Sequence, residues 1–374
     1  MIETITKFLP EILLTVFGTM AFLQILIYVT LFFRFAFHKQ KPLESMNPPV
    51  SVVITAKNEA HNLIETLPHF LTQEYPKFEV VIVNDNSNDE TLQVVLDFQK
   101  QFPNLKIVNL ESSVTNIKGK KFPLSLGIKA ANYEHVLLTD ADCLPVSNQW
   151  IKLMARHFHK TKHVVLGYSN IRKKASFFNT LIRFDKLHEA IQYFSCCLAK
   201  MPYMGVGQNL AYTKTTFFNN KGFASQNHLQ FGDDDLFINK VATKWNCDIE
   251  YEKDAHIISR PYAGFRNWFW TKTFRRKTRS LYTKCNRCLL NLYTFLMTFS
   301  YIALAFAIVF TLANPLYLTI VLSILVIKYT LQYVCFGFAA AKLNEKKLIP
   351  YILFFDIIFS ALNPVVYIAS KFKD

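Results

Sequence analysis

Forty consecutive residues, Cys288 to Ile327, carry no charged side chain. One helix of that length would be about 60 Å long, roughly twice the hydrocarbon thickness of a bilayer. Asn314-Pro315 lies inside the stretch and supplies a turn. The stretch therefore reads as two membrane spans, near residues 289–311 and 316–339, and a further span follows near 349–370. Ile12 to Phe33 is another uncharged run, 22 residues long. It exceeds the apolar core of a signal peptide, Glu3 and Glu11 precede it, and no small-residue cleavage site follows, so it reads as a retained anchor. Apolar segments at both ends leave the middle of the chain as the place for a water-facing domain.

Charge orients these spans. Arg34, His38, Lys39 and Lys41 follow the first run, and Lys342, Lys346 and Lys347 lie between the last two. The positive-inside rule puts both basic flanks, and with them the large middle region, in the cytoplasm of a cell-membrane protein. Both termini then lie outside, a placement that Lys371 and Lys373 oppose. The net charge of +15 gathers beside the apolar segments, so an anionic membrane surface is the expected partner and nucleic acid is not. Seven cysteines, an odd number with Cys335 in a span, argue against a disulfide framework. Cys285 and Cys288 have CxxC spacing without a second pair, and read as ordinary cysteines at a membrane boundary. Lys328 and Asp356 fall inside the last two spans; an interhelical ion pair and a polar lining for a lipid or glycan path are the two expectations.

The middle region alternates. Ser51–Thr55, Glu79–Val83, Lys106–Leu110, His135–Thr139 and His163–Gly167 are short apolar runs suited to strands buried on both faces. Glu59–Thr72 and Thr91–Phe102 have apolar residues at helical spacing. The pattern predicts an α/β fold with a mostly parallel sheet flanked by helices. Asp85 comes just past the second strand, Asp140 directly after the fourth, and Lys57-Asn58-Glu59 soon after the first. In open α/β sheets the carboxyl ends of strands form the ligand edge.

Asp140-Ala141-Asp142 places two carboxylates where both can approach one hard cation, Mg²⁺ or Mn²⁺, bridging a diphosphate. Gly232-Asp233-Asp234-Asp235 packs three acids together, whose mutual repulsion raises their pKa values and suits one to accept a proton; an acidic helix start is the competing reading. Ala255 to Arg287 holds nine Lys or Arg and no acid, mixed with Phe265, Trp268, Phe269, Trp270, Phe274 and Tyr282. It reads as an interfacial helix, in which Arg276, Lys277 and Arg279 could also hold a diphosphate.

Together these pieces resemble the membrane-bound family-2 glycosyltransferases over roughly Pro49 to Arg287. The matching motifs are Val52–Glu59, Val83–Ser87, Lys118–Lys121, Asp140–Asp142, Gly205–Tyr212, Gly232–Leu236 and Arg276–Arg279. The resemblance implies a GT-A type domain with inversion at the anomeric carbon. It implies that Glu59 and Asp85 contact the nucleoside of a UDP- or GDP-sugar, that Ala56 and Asn58 also bind the nucleotide sugar, as do Arg276 and Arg279, and that Lys120 lies near the nucleotide. Asp140 and Asp142 would hold diphosphate and metal, and Gly207, Gln208 and Asn209 would meet the acceptor. Asp233, or Asp234 after a one-residue shift, would be the base. The Gln-x-x-Arg-Trp motif of processive synthases reads Arg276-Lys277-Thr278-Arg279-Ser280 here, which favours single addition to a lipid or glycan acceptor. A processive polysaccharide synthase is the alternative, and a non-enzymatic membrane scaffold a more distant one. The implied domains are an anchor (1–41), a catalytic domain (42–258), an interfacial helix (259–287) and membrane helices (288–374).

Overall fold

A computed structural model describes residues 8–40, 46–111, 119–159, 161–227, 229 and 231–372. Glu3, Lys41, Lys118 and Lys373 lie outside the described residues. The chain divides into two compact units, one of Met1–His38 with Phe269–Asp374, the other of Lys39–Trp268. The first element among the described residues is helix α1 (Leu9–Ile27), which carries Pro10 in its first turn, where the missing N–H is no loss. The helix continues through a π-helical turn, Tyr28–Phe32, to a last turn at Phe33–Ala36.

The second unit contains β1 (Val50–Ala56), α2 (Ala60–Leu71), β2 (Phe78–Asp85), α3 (Thr91–Gln101), β3 (Leu105–Leu110), α4 (Lys121–Ala130), β4 (His135–Asp140) and β5 (Cys143–Pro145). After these come α5 (Trp150–Ala155), β6 (Val164–Leu166), β7 (Ser169–Ile171), α6 (Phe177–Leu198), β8 (Leu210–Thr213), α7 (Lys214–Asn219), α8 (Asp235–Val241), β9 (Cys247–Ile249) and β10 (Ile257–Ser259). The main sheet has the order β3-β2-β1-β4-β8-β6-β9, and β5, β10 and β7 form a small second sheet. β3, β2, β1 and β4 are mutually parallel, whereas β8 runs antiparallel to both its neighbours. The five strands expected from sequence are present. The short β5, β7, β8, β9 and β10 are additions, since three or four residues leave too little periodicity to read.

The apolar runs become buried because helices cover both faces of the sheet. Leu63, Leu67 and Phe70 of α2 and Trp150 and Met154 of α5 share one core with Val52, Ile54 and Val80. On α4, Gly127 allows close approach: a Cβ there would lie 2.6 Å from Val53 Cγ1 and 2.7 Å from Val83 Cγ2. The register pairs Thr55 with Asp140, Ala56 with Asn84 and Asp85 with Leu110, so the carboxyl ends of four strands finish level.

Helix α9 (Phe265–Arg279) is followed by α10 (Lys284–Thr311), α11 (Pro315–Lys342) and α12 (Ile352–Phe372). Among the described residues, four helical stretches are long and apolar enough to span a membrane: Phe8–Ala36, Lys284–Thr311, Pro315–Lys342 and Lys346–Phe372. The turn foreseen at Asn314-Pro315 is built by the Asn314 side chain, which accepts from Leu316 N at 3.1 Å and Tyr317 N at 3.4 Å. In this unit Ala21, Ala303 and Ala307 pack with Phe17 and Val321, small residues letting backbones approach. The end of α1 is capped by Lys342, whose Nζ donates to Phe35 O at 2.9 Å and to His38 O. Lys328 and Asp356 are both buried but do not form the direct pair that was one of the two expectations. Tyr301 stands between them. Its hydroxyl donates to Asp356 Oδ2 at 2.6 Å, and its ring centroid lies 4.7 Å from Lys328 Nζ. A quadrupole and a phenol thus divide the task a carboxylate would do alone.

Candidate active site

Two loops at the level strand ends clasp each other. Asn58, at φ 57°, donates its backbone N–H to Ser87 Oγ at 2.9 Å and accepts from Asn88 N through Oδ1 at 2.8 Å. Glu59 N donates to Thr91 Oγ1 at 2.8 Å, and Lys57 lies 3.5 Å from Asp85. Positive φ at Asn58 and Asn86 suits a residue type that tolerates the left-handed region. Ala56 differs from its neighbours: its methyl belongs to the core, leaving only backbone to meet a ligand.

β4 ends in Asp140, and one turn later Asp142 leads into β5. One oxygen of each carboxylate and Cys143 Sγ lie within 4.8 Å of one another. Burial, then the field of Asp140, pushes the Asp142 carboxyl up to about 6. Burial also raises Glu59, against a hydrogen bond from Asn62, and Asp140 adds to the rise. Crowded carboxylates that burden each other in this way are suited to a divalent cation, and their hard oxygens fit Mg²⁺ or Mn²⁺. Burial holds the Cys143 thiol well above its ordinary pKa, so oxygen rather than sulfur is the ready donor.

Lys120 joins this pair to the second acidic motif. Its Nζ lies 2.8 Å from Asp140 Oδ1 and 3.3 Å from Asp233 Oδ2. Burial alone would lower the lysine pKa, but Asp140 and Asp233 outweigh it and hold the ammonium well above its ordinary range. Asp233 is buried, and that burial raises its pKa against the pull of Lys120. Asp234 is used differently: Oδ1 accepts from Asp235 N at 2.7 Å and Oδ2 from Gly207 N at 3.1 Å. Gly207 closes the group, since a Cβ there would sit 3.4 Å from Lys120 Nζ and 3.7 Å from Asp233 Oδ2. The structure thus brings Lys120, Asp140, Gly207, Asp233 and Asp234 together.

Residues 51–222 match the model of glycosyl transferase family 2. Over these residues the chain is similar to that family. A poly-beta-1,6-N-acetyl-D-glucosamine synthase of Staphylococcus epidermidis is 28% identical over 215 residues, covering 55% of this chain and 48% of that protein. The enzyme of the same name from Staphylococcus aureus strain COL is 24% identical over 203 residues, covering 54% of this chain and 46% of that protein. The chain spans about half the length of the curated relatives it matches. A mannosyltransferase from Pyrobaculum calidifontis, solved in complex with GDP-Man and Mn²⁺, superposes with a TM-score of 0.57 at 18% identity, covering 95% of this chain and 99% of that one. The fold is therefore of GT-A type, joined to one N-terminal and three C-terminal apolar helices.

The remaining residues expected at the site are placed as follows. Gln208 is half-buried and accepts from Ser169 Oγ at 3.0 Å and Lys186 Nζ at 3.4 Å. Asn209 is 0% exposed and cannot line an acceptor site. Its Nδ2 donates to Tyr168 O and Ala255 O, each at 2.8 Å, and its Oδ1 accepts from Trp150 Nε1 at 3.0 Å. It is a bolt behind Gly207 and Gln208. Replacing Asn209 by Leu strands two carbonyls and an indole N–H, and is expected to cost about 3 kcal/mol or more, read as a lowered midpoint in thermal or urea unfolding.

Arg276 and Arg279 lie in the membrane unit, where Arg276 stacks 5.1 Å above the Tyr367 ring and Arg279 donates to Thr294 Oγ1 at 3.1 Å. Burial lowers the Arg276 pKa to about 10. Trp268 and Tyr282, read as interfacial, are buried; Trp268 Nε1 donates to Asp185 Oδ2 at 2.9 Å. A further cluster had no sequence signal. Buried His157 lies 3.2 Å from Asp248 and 2.9 Å from Glu250, which Arg156 also reaches at 2.7 Å. Burial alone would lower the His157 pKa, yet the two carboxylates raise it. Partners 93 residues apart along the chain leave no local pattern.

Proposed function

We propose that the protein transfers a sugar from a UDP- or GDP-sugar to a hydroxyl on a membrane-associated lipid or glycan, with inversion. One observation carries this reading: Lys120 links Asp140 at the strand-end edge to Asp233 in the second acidic motif, at 2.8 and 3.3 Å. Donor and acceptor chemistry then share one cation. In this reading the loops at Asn58-Glu59 and Asp85 take the nucleoside, aided by the Ala56 backbone. Asp140 and Asp142 hold a divalent cation, which supplies charge neutralisation on the departing nucleoside diphosphate. Asp233 accepts the acceptor's hydroxyl proton, the freed oxygen attacks the anomeric carbon, and the bond from that carbon to the diphosphate oxygen breaks. Gly207 brings its backbone N–H to Asp234 beside the base. Residues 42–258 are offered as the catalytic domain, facing the cytoplasm.

The names of the staphylococcal relatives favour an N-acetylhexosamine as the sugar. They also favour a second reading, a processive synthase, against which the missing Gln-x-x-Arg-Trp motif stands. The test is incubation of membranes containing the protein with labelled UDP-N-acetylglucosamine and GDP-mannose, with and without EDTA. Transfer that EDTA stops and Mn²⁺ or Mg²⁺ restores is the expected result. Transfer unaffected by EDTA removes the metal role of Asp140 and Asp142. No transfer from any nucleotide sugar overturns the reading, and a ladder of long products selects the synthase.

A further inference from the structure

Adjacent lysines at the start of α4 have opposite environments. Lys120 turns to the acids. Lys121 is 0% exposed, and its Nζ donates to Gln226 O at 2.9 Å, Leu229 O at 2.7 Å and Phe231 O at 2.6 Å. All three donors of the ammonium are therefore spent on the backbone of one segment. A buried ammonium is costly, and it is retained where its hydrogen bonds are made in full. Burial lowers the Lys121 pKa, as expected for a cation held by carbonyls rather than by a paired carboxylate.

The tethered segment leads directly into the second acidic motif. Phe231, the third anchor, is followed by Gly232 at φ +101°, where a Cβ would lie 2.5 Å from Leu236 Cδ1. Only glycine makes this turn without displacing Leu236. Asp233 is the next residue, its Oδ2 3.3 Å from Lys120 Nζ. One lysine thus holds the segment from beneath while its neighbour meets the carboxylate that the segment delivers.

We propose that Lys121 is a positioning residue: its three hydrogen bonds, to Gln226 O, Leu229 O and Phe231 O, fix where Asp233 emerges, and so align the base with the acceptor hydroxyl. This rests on the reading of Asp233 given above. A displacement of about 1 Å at a reacting group can cost on the order of 10²-fold in rate. Asn58, Glu59, Asp85 and Asp140, on the donor side, follow or end β1, β2 and β4 rather than the tethered segment, so donor binding reads separately from alignment of the base.

The experiment uses Lys121→Met in the full chain, which keeps the length of the side chain and removes its donors. The expected result is a fall in kcat of about 10²-fold, with the donor KM and the UDP dissociation constant within about twofold of wild type. Amide hydrogen exchange in residues 223–233 quickens. Gly232→Ala shifts the same segment by another route and gives the same kcat-only loss; it carries the test where Lys121→Met does not fold. The double variant loses little beyond the worse single one. Wild-type kcat in Lys121→Met overturns the proposal. So does a loss of kcat, UDP binding and melting temperature in parallel, which would mark mere structural support. A wild-type protein that transfers no sugar sinks the functional reading instead; unchanged exchange at 223–233 then overturns the tether and quickened exchange upholds it.

Discussion

Asp233→Asn is expected to lower transfer by about 10²–10⁴-fold, the usual worth of a general base, while UDP binding stays near wild type. The substitution keeps shape and volume but removes the ability to accept a proton. Two features single out Asp233 over its neighbour. Its Oδ2 lies 3.3 Å from Lys120. Its pKa is raised first by burial and then by Asp234 and Asp140, against Lys120, and a raised pKa makes a carboxylate a better base near neutrality. Asp234 instead accepts from the backbones of Asp235 and Gly207 at 2.7 and 3.1 Å. Asp234→Asn replaces one accepting oxygen by a donor, so one of those N–H groups loses its partner. A loss of about 1–2 kcal/mol in stability and a modest fall in kcat are expected there. Steady-state kcat, UDP binding and melting temperature of the two variants decide. A deeper kcat loss in Asp234→Asn would exchange the roles.

The long strands and their terminal acids were legible because each long run gives a continuous apolar signal, and an acid at its end falls on the ligand edge of a parallel sheet. Asp85 and Asp140 follow from that logic, as do the four apolar spans and the turn at Asn314. What was not legible depends on direction rather than composition. Asn209 sits in a glycine-flanked motif that suggests contact with a substrate, yet its amide turns inward to Tyr168, Ala255 and Trp150. Lys120 and Lys121 are identical in type and adjacent, and the turn of about 100° between helical neighbours sends one to the acids and one to the interior. Tyr301 between Lys328 and Asp356 could not be read either, because an apolar span with two charges suggests a pair and gives no reason to look for an intervening phenol.

Lys120→Met is the change that tests the site as one electrostatic unit. The ammonium lies between Asp140 and Asp233, and its removal leaves those carboxylates and Asp234 facing each other without the cation. Removing one partner of a buried charge pair costs about 3–5 kcal/mol, but the Lys120 side chain is 36% exposed and water recovers part of that. That cost falls on stability and is read as a lowered melting temperature; separately, loss of the link between the two acidic motifs is expected to lower kcat/KM by about 10²-fold, each tenfold being about 1.4 kcal/mol of activation free energy. The metal response gives a second, opposite signature. Lys120 competes with a divalent cation for Asp140, so its loss is expected to lower the Mn²⁺ concentration needed for half-maximal activity even as the maximum falls. A lysine that only supported the fold would weaken both together. Lys120→Arg keeps the charge and is expected to recover most of the rate. Lys120→Met combined with Asp233→Asn should be no slower than the worse single variant, because both changes break the same link. Additive losses would separate Lys120 from Asp233, leaving the lysine as a partner of Asp140 alone and the acidic motifs as two independent features.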